Sequence, residues 1–176
     1  HGTAEKYIQQ VIWRTYFKGW LEQHPTVWNA YNEGVMSGLN EVLSDQSRAR
    51  LYEKAITGQT GIDCFDSWVT ELMEHSYLHN HARLWFASIW IFTLKLPWEL
   101  GANFFMKYLL DGDPASNTLS WRWVAGLHTK GKNYLAMSDN IDKFTLGRFR
   151  MEPHLNEVAK PLTELTEHPI QSLSDL

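Results

Sequence analysis

The chain has 176 residues, a formal net charge of −4 and a 44% share of hydrophobic residues, which fits one domain large enough to bury a core and argues against a protein that coats nucleic acid by bulk positive charge. Its single cysteine, Cys64, excludes an internal disulfide and a cysteine-based metal cluster. The longest apolar run, Leu84 to Leu94, is shorter than the roughly 20 residues a bilayer crossing needs, and no signal-peptide layout is present, so a soluble, cytoplasmic protein is the simplest expectation.

In chain order, Ile8, Val11, Ile12, Phe17, Trp20 and Leu21 recur with a helical period that stops before Pro25, predicting a helix over Ala4 to Gln23. Gln10, Trp13 and Arg14 lie at the edge of that stripe and share a face; they form either an exposed polar edge or one wall of a pocket. Thr26 to Leu43 reads as one or two short helices interrupted near Gly34 and Gly38, Ser44 to Ser47 as a loop, and Arg50 to Ile56 as a short helix ended by Gly58. A turn at Gly58-Gln59-Thr60-Gly61 precedes a helix from Asp63 to His75. The segment from Asn80 to Leu94 is apolar almost all round after Arg83, the mark of a buried central helix. Arg83 at its start is a charge at the edge of a core and needs a partner. Asp111, arriving after a helix from Pro97 to Leu110, is the natural one.

The densest stretch is LLDGDPASNTLSWRW, Leu109 to Trp123. Gly112 permits a tight turn that aims Asp111 and Asp113 in different directions, and Asp113-Pro114 reads as a helix cap followed by the first helical residue. Asn117 and Trp121 then share one face while Trp123 points elsewhere. Taken alone, this is either a capped helix with an aromatic core face or the centre of a site. Nine tryptophans raise stacking and electron transfer beside plain packing; Trp20, Trp28, Trp68, Trp85 and Trp90 are assigned to the core or to helix contacts. From Arg122 to Arg150 six basic residues face two acids, a solvated loop or a phosphate-holding stretch. His75, His79 and His81 lack the glutamate of a zinc-binding HExxH helix, and no metal is expected. No P-loop, GxGxxG or GxSxG motif occurs. After Tyr134 the helical signal weakens, so the chain divides into a helical body, residues 1–150, and an extended or partly helical tail, residues 151–176.

Six motifs in order, QQVIWRTYF, TGIDCFDSW, LHNHAR, LPW, FFMKYLLDGDPASN and WRW, resemble the flavin-binding helical domain of the DNA photolyase/cryptochrome family over roughly Ala4 to Tyr134, with details similar to a bacterial photolyase-like subgroup. The resemblance implies an all-α FAD-binding domain that is part of a longer protein, the N-terminal α/β antenna domain and a phosphate-gripping loop lying outside these residues. It implies that Arg83 and Asp111 pair beside the flavin ring, that Asn117 faces the reactive nitrogen of the central ring, and that Asp113, Asn80 and Arg14 lie on the cofactor. Trp13 and Trp123 match an aromatic clamp for a pyrimidine dimer flipped out of DNA. Gln10 stands where the common dimer photolyases have glutamate and Leu84 where they have methionine, departures that bear on lesion type. Trp121 and Trp98 match the inner and middle members of an electron-feeding chain whose outer member, expected between Ser44 and Ala55, is not a tryptophan. The expected function is light-driven electron transfer from reduced FAD to a pyrimidine dimer. The alternatives are a cryptochrome-type photoreceptor without repair and a helical interaction module with a vestigial flavin site. The isolated chain is expected to hold FAD poorly, because the phosphate contacts lie elsewhere.

Overall fold

The computed structural model describes residues 2–149 and 154–171, and among them every regular element is helical. Eight α-helices follow in order: α1 (Gly2–Gln23), α2 (Pro25–Ser44), α3 (Gln46–Thr57), α4 (Asp63–His75), α5 (Asn80–Ser88), α6 (Trp98–Tyr108), α7 (Pro114–Ala125) and α8 (Ser138–Phe144). A π-helical turn, Ile89–Thr93, continues α5. Helix α7 packs against α1, α5 and α6, while α2 bridges α3 and α6. The core gathers where these helices meet, around Trp90, Phe86, Phe65, Trp121 and Leu119.

Local chemistry accounts for most boundaries. Asp113 caps α7, its carboxylate accepting from the Ser116 amide at 3.0 Å, with Pro114 in the first turn where its missing N–H is harmless. Helix α3 ends on Gly58 at φ +66, a left-handed closure that glycine adopts without strain. It begins earlier than the sequence reading placed it, because Asp45 caps Gln46 onward by accepting from the Arg48 amide at 2.9 Å; Ser44 to Ser47 is therefore not a loop. Short helix α8 was not legible either, its seven residues carrying one buried side chain, Ile141.

Glycine misled the reading of α2, which is one continuous helix. Gly34 and Gly38 do not interrupt it. They thin its surface where α6 approaches: a Cβ on Gly34 would lie 2.7 Å from the Glu99 side chain, and one on Gly38 3.0 Å from Pro97. The expected Asn80 to Leu94 helix also changes character. At Leu94 the amide reaches back to Ile89 at 2.9 Å, widening the last turn, and the Trp90 indole N–H donates to the Pro97 carbonyl at 2.9 Å.

Helix α1 turns only part of its expected apolar stripe inward: Phe17, Trp20 and Leu21 are half-buried, and of the two alternatives for Gln10, Trp13 and Arg14 the structure takes the pocket wall. Ile8, Val11 and Ile12 are 56%, 49% and 61% exposed, and the face turned to the body is the one carrying Gln10, Trp13, Arg14 and Phe17. The edge of the apolar stripe is thus the inner wall. The tail from His154 to Gln171 crosses the helix ends without regular structure, fixed by backbone bonds from Leu162 to Ala125 and from Gln171 to Gln23. Arg122, read in sequence as part of a basic loop, is 3% exposed and forks onto the tail's Glu164 at 3.0 and 2.7 Å.

Candidate functional site

A cleft of about 290 Å³ opens between α1, the start of α5, the Leu109–Asp113 turn and α7. Of the residues singled out in the sequence, Gln10, Trp13, Arg14, Asn80, Arg83, Leu84, Asp111, Asp113, Asn117 and Trp121 line it. Trp98 and Trp123 do not.

The turn is gripped from two sides. Arg83 reaches across from α5, one guanidinium nitrogen 3.0 Å from both Asp111 carboxylate oxygens, while its Nε donates to the Leu78 carbonyl at 2.7 Å. Arg14 of α1 donates to the Asp111 carbonyl at 3.2 Å. The Arg83–Asp111 pair is not the buried one the sequence suggested: the side chains are 20% and 45% exposed, because the turn stands at the mouth of the cleft rather than beneath it. Asp113 sits deeper, with its side chain 12% exposed, and pairs with Lys18 at 3.3 Å. Its carboxylate also accepts from the Ser116 amide and, at 2.7 Å, the Ser116 hydroxyl. Partial burial pushes the Asp113 carboxyl up, but the Ser116 bonds and Lys18 together outweigh it and hold the group below the usual aspartate range.

Asn117 is 9% exposed, its amide nitrogen donating to the Ala102 carbonyl at 2.8 Å. That bond fixes the amide, which lines the cleft from α7. Trp121, one turn on, lies 2% exposed against Phe105 with ring centroids 5.1 Å apart. Gly101 makes this possible, since a Cβ there would overlap the Trp121 ring. The amino ends of α5 and α7 both meet the cleft; there Arg83 is balanced by Asp111 and Lys18 by Asp113, which also caps α7, leaving Arg14 as the cation of the lining without a carboxylate partner of its own among the described residues.

At the rim, Trp13 is 49% exposed and packs on Tyr16 and Phe17. Trp123, 38% exposed, leans on Tyr134 with centroids 5.8 Å apart; no ring contact joins it to Trp13. Trp98 is buried in the core against Tyr31 at 5.8 Å, with the Arg122 guanidinium 5.9 Å above its ring. Sequence reasoning missed Lys18, Ser116 and Gly101. Lys18 was discoverable, lying four residues after Arg14 on the same helix face; Gly101 carried no signal.

The fold and cleft define an all-helical domain with an apolar-walled cleft into which a few polar and charged side chains converge. Over residues 7–171 the chain matches the family described as the FAD binding domain of DNA photolyase, and it belongs to that family, with FAD as the domain's cofactor. Similar proteins include the deoxyribodipyrimidine photo-lyase of Streptomyces griseus, 32% identical over 72% of this chain and 26% of that protein. That of Buchnera aphidicola is 28% identical over 93% of this chain and 34% of its own length. That of Escherichia coli K12 is 26% identical over 76% and 28% respectively. The chain thus spans about a quarter to a third of these relatives.

The cleft fits the ring portion of this cofactor. Its volume is near the lower end of small-molecule sites, its walls are apolar at Leu84, Ala87, Phe105 and Val124, and the Asn117 side chain, held by its bond to Ala102, is part of its lining. No helix among the described residues is long and apolar enough to cross a membrane.

Proposed function

We propose that this domain cradles the flavin ring of FAD in the α1–α5–α7 cleft, and that the protein to which it belongs is a DNA photolyase acting on a pyrimidine dimer. The observation that carries this reading is the convergence of the Arg83–Asp111 pair and the fixed Asn117 amide on one apolar-walled cleft, supported by the family and by relatives named as photo-lyases.

When bound, FAD supplies light-driven one-electron transfer to the dimer. The chain's own residues hold and tune the site. Arg83 keeps a positive charge beside the ring position, and Asp111 fixes its orientation, so that added negative charge is stabilised by a group already in place. Asn117 presents an acceptor to a ring N–H. Asn80 and Asp113 lie where they can meet the cofactor's polar edge, and Arg14 holds the turn that positions Asp111. Gln10, Trp13 and Leu84 form the mouth, where a flipped dimer would enter and stack on Trp13; Trp123, exposed beside Tyr134, would supply a second stacking surface. Trp121 is the aromatic residue placed to donate an electron to the ring.

The test is repair of ultraviolet-irradiated DNA by the flavin-bound parent protein under blue light. Dimer loss that needs light and disappears in an Asn117→Leu variant is expected. A flavin-bound protein that leaves dimers intact would make the domain a photoreceptor without repair.

A further inference from the structure

Resting on the flavin reading above, we infer that the electron delivered to the cleft is drawn inward along Tyr52, Trp90 and Trp121, so that the oxidised site moves outward and ends at a tyrosine on α3. Trp121 forms the inner wall of the cleft. Its ring neighbours in the core are Phe105, Phe86 and Trp90. Of these only Trp90 is readily oxidised, and it stands perpendicular to Trp121 with centroids 6.3 Å apart. Trp90 in turn meets the half-buried Tyr52 edge-on at 6.0 Å. Trp98 makes no ring contact with Trp121. Its own neighbours are Tyr31 and the Arg122 guanidinium at 5.9 Å, and that cation raises the cost of a positive charge on Trp98, offset in part by the Glu164 paired with it.

Proton placement gives the route its direction. The Trp121 Nε1 is buried with no hydrogen-bond partner among the described residues, so an oxidised Trp121 has no protein group to receive its proton and can only pass the positive charge on. Trp90 donates its N–H to the Pro97 carbonyl at 2.9 Å, an amide too weakly basic to take the proton, though the bond stabilises the cation. Tyr52 is partly open to solvent and can release its phenolic proton to water, which traps the charge there.

The balance is one electron. Photoexcited oxidised flavin takes an electron from Trp121, Trp90 refills Trp121, and Tyr52 refills Trp90 while losing its hydroxyl proton to solvent as a neutral tyrosyl radical. A solution thiol then returns a hydrogen atom to Tyr52 and is itself oxidised.

The experiment uses the flavin-bound parent protein, illuminated in the oxidised state, with electron paramagnetic resonance to identify the protein radical and absorbance to follow flavin reduction. A tyrosyl signal is expected. It should vanish in the conservative Tyr52→Phe variant and in Trp90→Phe, with at least a tenfold drop in the yield of lasting flavin reduction and no change in bound FAD. Survival of the tyrosyl signal in Trp90→Phe, or its survival in Tyr52→Phe, overturns the route while leaving the flavin site intact. Loss of photoreduction only in Trp98→Phe does the same. A parent protein that binds no flavin defeats both the site and the route.

Discussion

Asp113 rather than Asp111 should be the acid on which the stability of this domain depends. Asp111→Ala removes a pair whose members are 20% and 45% exposed, and Arg83 keeps its bond to the Leu78 carbonyl, so water can replace much of what is lost. A cost of about 1 kcal/mol follows. Asp113→Ala strips the cap from α7, typically about 1 and up to 2 kcal/mol, and also removes the Lys18 pair, worth about 0 to 1 kcal/mol with the lysine side chain 56% exposed. The sum of about 2 kcal/mol corresponds to a fall of roughly 4 to 8 °C in Tm for a chain of this size. Asn caps helices as well as Asp, so Asp113→Asn should recover all but the lysine contribution. The pH dependence separates charge from cap. With the folded carboxyl held below its ordinary value, the charged group's contribution is fully present above the unfolded value near pH 4 and is lost as pH falls through the lower folded value. Asp113→Asn should therefore flatten the acid limb of the stability curve. Thermal unfolding of the 176-residue chain and its three variants, followed by circular dichroism between pH 2 and 7, measures all of this. A larger loss in Asp111→Ala than in Asp113→Ala would refute the reasoning.

Further outcomes follow from other contacts. Gly101→Ala should cost about 1 to 3 kcal/mol and shift tryptophan fluorescence, since the added methyl overlaps the Trp121 ring; an unchanged spectrum and denaturation midpoint would show that α6 yields freely. Glu164→Gln leaves Arg122, with a side chain 4% exposed, without its counter-charge, and should lower stability by about 2 to 3 kcal/mol. Burial pushes the Glu164 carboxyl up but Arg122 and His168 more than offset this, so the wild type's advantage should fade as pH drops through the lowered folded value. A difference that persists unchanged well below that range would count against the charge argument. In the flavin-bound parent, Trp13→Ala or Trp123→Ala should weaken binding to irradiated DNA by about tenfold, the lower part of the range for lost base stacking, with the flavin spectrum intact; unchanged affinity in both would remove the clamp.

How much of this was legible follows from where each signal lies. Caps and turns are local, so the start of α7 could be placed from Asp113 and Pro114 alone, and α4 from the one-sided spacing of Phe65, Trp68, Val69 and Leu72 after the Gly58–Gly61 turn. The meaning of Gly34, Gly38 and Gly101 depends on residues far along the chain, Glu99, Pro97 and Trp121, and the first two read as breaks because nothing nearby says otherwise. Arg122 read as solvated for the same reason: its partner is 42 positions away in a tail with no periodic pattern. On α1 both the stripe and its polar edge were visible, but not which of them faced the body, since hydrophobicity marks Ile8 and Val11 while the cleft takes Gln10, Trp13 and Arg14. The cleft's residues were nameable through their motifs. That Asp113 is tied by Lys18 and Ser116, and that the Arg83 pair stands at the mouth, required the three-dimensional arrangement.

The central claim is that these side chains bind the flavin ring itself, and titration of the purified chain with riboflavin and with FAD tests it most directly. Both should bind, though weakly because only the ring is held, and at saturating flavin the fluorescence should be quenched and the visible band sharpened. Their affinities should lie within about tenfold, or 1.4 kcal/mol, because a cleft of about 290 Å³ meets the ring and offers the phosphates little. Asn117→Leu should abolish both. Absence of any spectral change with either flavin, or binding that survives Asn117→Leu, would contradict the account.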